Sequence, residues 1–135
     1  VRAVLDPNVV VSAALSPSGA PARVLLAWLD GRFEYIASPG LIEELERVLA
    51  YPKLRERIPA ADAAELVRLV KGGSVMREDP PNPPAVSPDP GDDYLVALAM
   101  ASEAVIVTGD SDLLSLAPRL PVFTPKRFLN WLAKA

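Results

Sequence analysis

Short apolar runs alternate with amphipathic stretches along this chain, and the alternation predicts its fold. Arg2-Ala3-Val4-Leu5 reads as a buried strand that stops at Asp6. Asn8 to Leu15 fits strand or helix equally, and Ser16 to Pro21 has the composition of a loop. Ala22 to Asp30 predicts a helix with Val24, Leu25, Trp28 and Leu29 on one face and Gly31 at its cap. Phe33 to Ala37 predicts a second strand. Ser38-Pro39 then supplies an N-cap and first helical residue for a helix reaching about Tyr51, with Leu41, Leu45, Val48 and Leu49 at helical spacing. Pro52 to Ile58 fits one short basic turn. Ala60 to Lys71 predicts a helix facing inward with Leu66, Leu69 and Val70, ended by Gly72-Gly73.

Ser74 to Arg77 is a weaker third strand, and residues 80–90 hold six prolines, which excludes regular structure there. A helix capped by Asp92 or Asp93 runs through Ser102, followed by the clearest buried strand, Ala104 to Thr108. Gly109-Asp110-Ser111-Asp112 turns into a short helix over Leu113 to Ala117. Pro121-Val122-Phe123 is a last short strand, and Thr124-Pro125 opens a final helix ending near Trp131-Leu132. Strands alternating with helices predict an α/β domain with a central parallel sheet between helical layers, one domain over residues 1–135. Only 45 residues follow the proline segment, so it reads as a surface loop and not an interdomain linker. Ligands of such sheets bind beyond the carboxyl ends of the strands, where Asp6 and Asp110 fall.

Composition narrows the chemistry. The chain has no cysteine and no histidine, which excludes thiol nucleophiles, disulfides, Ser-His-Asp relays and ordinary zinc sites. Acid–base and metal chemistry then falls to Asp and Glu, whose oxygens suit hard cations such as Mg²⁺ or Mn²⁺. The net charge of −3 argues against gripping nucleic acid by electrostatics alone, but a cation bridging carboxylates to phosphate removes that objection. No apolar run reaches the roughly 18 residues needed to span a bilayer, and the N-terminus lacks a signal-peptide layout. The expectation is a cytoplasmic protein, in keeping with the lack of cysteine.

Acidic residues gather at four places: Asp6; Glu43 and Glu44; Asp89, Asp92 and Asp93; Asp110 and Asp112. Taken singly, each has an ordinary reading, because acids favour helix N-termini and turns. Taken together, the topology delivers all of them to one edge. Two unit charges 4 Å apart repel by about 4 kcal/mol at an effective dielectric of 20. Such a cluster is costly unless a divalent cation sits among its members. Arg47, Lys53, Arg55 and Arg57 form the densest basic stretch, suited either to an RNA backbone or to a solvated face. Trp28 and Trp131 lie on apolar helix faces and suit core or dimer packing better than base stacking.

Val4-Leu5-Asp6-Pro7-Asn8-Val9-Val10-Val11-Ser12-Ala13 resembles the opening of PIN-domain ribonucleases. Ser38 to Leu45, Asp89 to Ala99 and Val107 to Leu114 resemble that family's second, third and fourth motifs, in order and across nearly the whole chain. The resemblance is strongest to bacterial PIN proteins grouped as toxins of toxin–antitoxin pairs, akin to VapC. It implies a three-layer PIN fold and Mg²⁺- or Mn²⁺-dependent cleavage of RNA, leaving a 5′-phosphate and a 3′-hydroxyl. Position by position it makes Asp6, Glu44, Asp93 and Asp110 the catalytic acids. Asp6, Asp93 and Asp110 are the metal ligands, with Asp112 as an accessory. Glu43 and Asp92 fill these roles if the register shifts by one. Asn8, Thr108 and Ser111 are candidate substrate contacts, although Thr108 and Ser111 equally suit turn and cap hydrogen bonds. A homodimer and a small antitoxin partner are also implied.

Pro7 stands where the family has Thr or Ser, removing a hydroxyl and a backbone N–H beside the site. A PIN scaffold that binds RNA or protein without cutting is therefore the alternative. Gly109 to Asp112 is also similar to the late acidic motif of haloacid-dehalogenase-like phosphatases. Those need an Asp where Asn8 stands and a Lys ahead of the late acids, and no Lys lies between Lys71 and Asp110. A receiver domain needs a phosphoacceptor Asp after a third strand near the middle of the chain, and none is present.

Overall fold

In the computed structural model, which describes all 135 residues, five strands form one sheet. They are β1 (Arg2–Leu5), β2 (Glu34–Ala37), β3 (Val75–Met76), β4 (Val105–Val107) and β5 (Val122–Phe123), ordered β3-β2-β1-β4-β5 with every neighbour parallel. Eight α-helices surround the sheet: α1 (Pro7–Leu15), α2 (Ala20–Leu29), α3 (Pro39–Leu49), α4 (Pro52–Arg55), α5 (Ala60–Gly73), α6 (Asp93–Ala101), α7 (Ser111–Leu114) and α8 (Pro125–Lys134). This is the three-layer α/β arrangement that the alternation predicts. The chain moves outward in one direction from β1 to β3, then crosses back and moves outward the other way through β4 and β5. With right-handed crossovers, that reversal sends α6 to the face opposite α1, α2, α3 and α5. It also opens a crevice between the carboxyl ends of β1 and β4.

β1 is the central strand, and Ala3, Val4 and Leu5 are completely buried between β2 and β4. Val4 and Leu5 lie opposite Ile106 and Val107, and the Asp6 amide adds one more rung to the Val107 carbonyl at 2.9 Å. Both faces of these strands are covered, which explains why they read as continuous apolar runs. The ambiguous segment after Asp6 is helical: α1 packs on α2 and α3, and Val9, Val10, Val11 and Ala13 enter the core. Pro7 occupies its first turn, where a backbone N–H would have no helical partner, so its ring removes no hydrogen bond.

Several boundaries differ from the sequence pattern. α5 continues through Gly72 and Gly73. A Cβ on Gly73 would come within 2.7 Å of Trp28 Cζ2, so this glycine admits a close ring approach instead of ending the helix. Leu29 and Leu69 are exposed. The inner face of α2 is Val24, Ala27 and Trp28, and one further residue rotates Leu29 by about 100° to solvent. α7 is the single turn Ser111–Leu114, starting earlier and ending sooner than expected. Trp28 is buried edge-on to Tyr35 at 5.2 Å between ring centroids, whereas Trp131 stacks on Phe123 at the rim of the core.

Candidate active site

The crevice at the strand reversal holds a cleft of about 320 Å³ lined by Asp6, Asn8, Ser12, Gly109 and Asp110, with Val9, Pro21 and Pro125 at its margins. Its first wall is built by helix capping. Asp6 is both the residue that leaves β1 and the N-cap of α1, and its Oδ1 accepts the Asn8 amide at 3.0 Å. Asp110 does the same after β4: it caps α7, and its Oδ1 accepts the Asp112 amide at 3.0 Å. A strand passing directly into a helix leaves the capping carboxylate at the sheet edge. Thr108 joins the two acids. Its Oγ1 donates to Asp6 Oδ2 at 2.8 Å and accepts the Asp110 amide at 3.0 Å.

Asp6 is only 4% exposed. Burial raises its pKa, the bonds from Asn8 and Thr108 oppose that rise, and the nearby charges of Asp110 and Glu44 add to it.

A second group of acids, outside the lining of that cleft, comes from α3 and the start of α6. Of the two adjacent glutamates, Glu43 is exposed, whereas Glu44 is half-buried and close enough for its charge to bear on Asp6 and Tyr94. Arg47, one helical turn on, holds both Glu44 oxygens: Nε to Oε2 at 3.0 Å and Nη2 to Oε1 at 2.5 Å. That contact raises the Arg47 pKa.

Of the two adjacent aspartates, Asp93 is buried and turned toward the proline-rich segment, where its Oδ1 accepts the Val86 and Ser87 amides at 3.2 and 2.9 Å. Asp92 instead faces Asp110. Burial, the contact with Asp110, and the charges of Asp110, Asp89 and Asp6 push its pKa up to about 7. Two carboxyls in contact form a hydrogen bond only when one is protonated. Asp92 Oδ2 is buried and accepts from no donor. Asp110, Asp92 and Glu44 thus lie within electrostatic reach of Asp6, whereas Asp93 anchors a loop.

The remaining candidates divide in the same way. Asn8 and Ser111 are exposed, and Asn8 lines the cleft. Thr108 is completely buried and positions the acids from beneath, without facing the cleft. Asp112 lies in the first turn of α7 and is not part of the lining.

Two residues that the sequence did not single out also belong here. Asp79 accepts from Ser38 Oγ at 2.6 Å and from the Gly40 amide at 2.8 Å, fastening the start of α3 to the segment after β3. A Cβ on Gly40 would sit 2.9 Å from that carboxylate. The Tyr94 hydroxyl is buried without a partner, and burial followed by the charges of Glu44, Asp6, Asp79 and Asp92 raises its pKa.

The donor set is entirely carboxylate and suits a hard cation. Asp92 Oδ2 without a donor, beside Asp110, is where a positive charge relieves both burial and repulsion. No three of these acids are close enough to form a ready-made cage.

A family profile described as PIN domain matches residues 2–112. The uncharacterized protein MJ1680 of Methanocaldococcus jannaschii is 27% identical over 144 aligned positions, covering 99% of this chain and 93% of that protein. Among solved structures, PAE2754 from Pyrobaculum aerophilum superposes with a TM-score of 0.71 at 20% identity, covering all of this chain and 91% of that one. VapBC2 from Rickettsia felis, solved bound to a DNA fragment from its promoter, superposes with a TM-score of 0.61 at 13% identity, covering 90% of this chain and 97% of that one. At these identities the two structures speak for the fold.

Proposed function

Because this chain belongs to the PIN-domain family, we propose that it is a divalent-metal-dependent endoribonuclease, acting as the toxin of a toxin–antitoxin pair. The observation that carries the reading is the convergence of Asp6, Asp92 and Asp110, with Glu44 in reach, on the crevice between β1 and β4. Asp6, Asp110 and Asp92 would hold Mg²⁺ or Mn²⁺, with Asp92 taking the place that the motif alone gave to Asp93. A bound divalent ion supplies a water of lowered pKa and offsets negative charge on phosphate.

The chain's own residues do the rest. Thr108 and the two helix caps fix Asp6 and Asp110. Glu44 orients the attacking water once it leaves Arg47. Hydrolysis leaves a 5′-phosphate and a 3′-hydroxyl, with no side-chain nucleophile, which suits a chain without His or Cys. RNA as the substrate, a small antitoxin as the partner, a homodimer and a cytoplasmic setting belong to the same proposal.

The test is cleavage of a generic single-stranded RNA by the purified chain in Mg²⁺ or Mn²⁺. Activity should vanish in EDTA, and Asp6→Asn should lower it at least about a thousandfold while remaining folded. Full activity in EDTA overturns the metal chemistry. RNA retained but never cut, in any divalent ion, leaves the non-cutting scaffold as the function.

A further inference from the structure

Two buried side-chain polar atoms in the protein lack a hydrogen-bond partner: Asp92 Oδ2 and Tyr94 Oη. They are two residues apart at the start of α6, and both groups are close enough for the charge of Asp6 to bear on them. Buried hydroxyls are nearly always bonded, so this coincidence has a cause. The ring of Tyr94 packs against the core, and its burial needs no hydroxyl. The hydroxyl is within electrostatic reach of Glu44, Asp6, Asp79 and Asp92 and of the Tyr35 hydroxyl, which already donates to the Leu5 carbonyl, yet it is bonded to none of them. A phosphate oxygen is repelled by such surroundings. A water molecule matches them: its two hydrogens go to carboxylates, and its oxygen accepts the phenol hydrogen.

We propose that Tyr94 is a positioning residue, whose hydroxyl holds the water that attacks the scissile phosphate. The inference rests on the nuclease reading above. The phenol O–H fixes one lone pair of the water and leaves the other to face phosphorus. As the water oxygen bonds to phosphorus, a neighbouring carboxylate takes its proton. The bond from phosphorus to the 3′ oxygen then breaks, and solvent protonates the leaving oxygen. Orientation of this kind acts on the bond-making step and not on RNA binding.

Tyr94→Phe removes the hydroxyl and keeps the ring. It should lower kcat about 10–100-fold with KM unchanged within about twofold. It should also melt no lower than the wild type and keep the full rise in melting temperature on adding Mn²⁺. An unchanged kcat overturns the positioning role alone, because the wild type still cuts. A lowered melting temperature without metal, or a lost response to Mn²⁺, also overturns it, since the hydroxyl then serves the fold or the ion. A wild type that responds to Mn²⁺ but cuts nothing overturns the nuclease reading, and the positioned water falls with it.

Discussion

Asp6 has a donor for each of its carboxylate oxygens, whereas Asp92 Oδ2 and the Tyr94 hydroxyl at the start of α6 have none. The β1–β4 wall is complete before any ligand arrives, because each acid is also a helix cap and Thr108 links the two. The α3–α6 wall is held in provisional ways. Glu44 is engaged by Arg47, and Asp92 has its pKa raised by burial and by Asp110. On the proposed reading, the difference lets one site be both stable and reactive. The rigid wall supplies position, and the unsatisfied wall keeps polar capacity that a cation and a water can use.

Breaking the finished wall should give the largest effect on stability. Thr108→Val keeps the shape of the side chain but strips a donor from Asp6 Oδ2 and an acceptor from the Asp110 amide. Two buried polar groups left without partners cost about 2–4 kcal/mol, or on the order of 10 °C in melting temperature. Thr108→Ser restores both bonds and loses one buried methyl, so it should recover most of that difference. Thermal melts of the two variants decide the matter: if Val melts as high as Ser, the bracket carries no weight and the wall is held by the caps alone.

The finished wall was largely legible in the sequence, and the other was not. Asp6 and Asp110 each end a short apolar run and begin a helix, so neighbours in sequence specify their geometry. The link between them was hidden, because Thr108 reaches Asp6 across 102 residues. On the second wall, Asp92 and Asp93 are indistinguishable by pattern. One residue is about 100° of helical rotation, and the path of the proline-rich segment separates them by giving Asp93 the amides of Val86 and Ser87. Asp79 had no signal at all, since its partners Ser38 and Gly40 lie 41 and 39 residues earlier in the chain. The fold was read more fully because apolar runs and helix caps are local. The end of α5 was hidden where a tertiary contact, Trp28 on Gly73, replaced the usual meaning of a glycine.

A middle-sized effect should come from the raised pKa of Asp92. The pKa of Asp92 is raised from 3.8 to about 7 in the folded protein, so between these values the folded state binds more protons than the unfolded one. This group's contribution to stability is therefore complete below about pH 4 and declines as pH rises toward 7. Asp92→Asn removes that dependence. Without metal, the variant should melt with the wild type near pH 4 and clearly above it near pH 8, and Mn²⁺ should raise its melting temperature less. Parallel melting curves across that range would mean that Asp92 is an ordinary solvated acid. The unfinished wall would then reduce to Tyr94.

The smallest effect, and the most specific to the second wall, concerns Arg47. Its guanidinium, exposed on α3, reaches both oxygens of Glu44 and also donates to the hydroxyl of Tyr51, just beyond the helix, at 2.5 Å. Exposed pairs of this kind hold side chains in place while adding little to stability. Arg47→Gln should therefore shift the metal-free melting temperature by no more than about 2 °C. What changes is the competition for Glu44, because a cation entering the cleft no longer has to displace a guanidinium, nor to approach another positive charge. The midpoint of a Mn²⁺ titration followed by melting temperature should fall about 2–5-fold, the range expected for losing one exposed ion pair. The double variant Arg47→Gln with Glu44→Gln separates the two causes. If the gain in affinity disappears with Glu44, the guanidinium acts by occupying that carboxylate. If it persists, Arg47 acts only through its charge, and Glu44 does not belong to the metal-responsive wall.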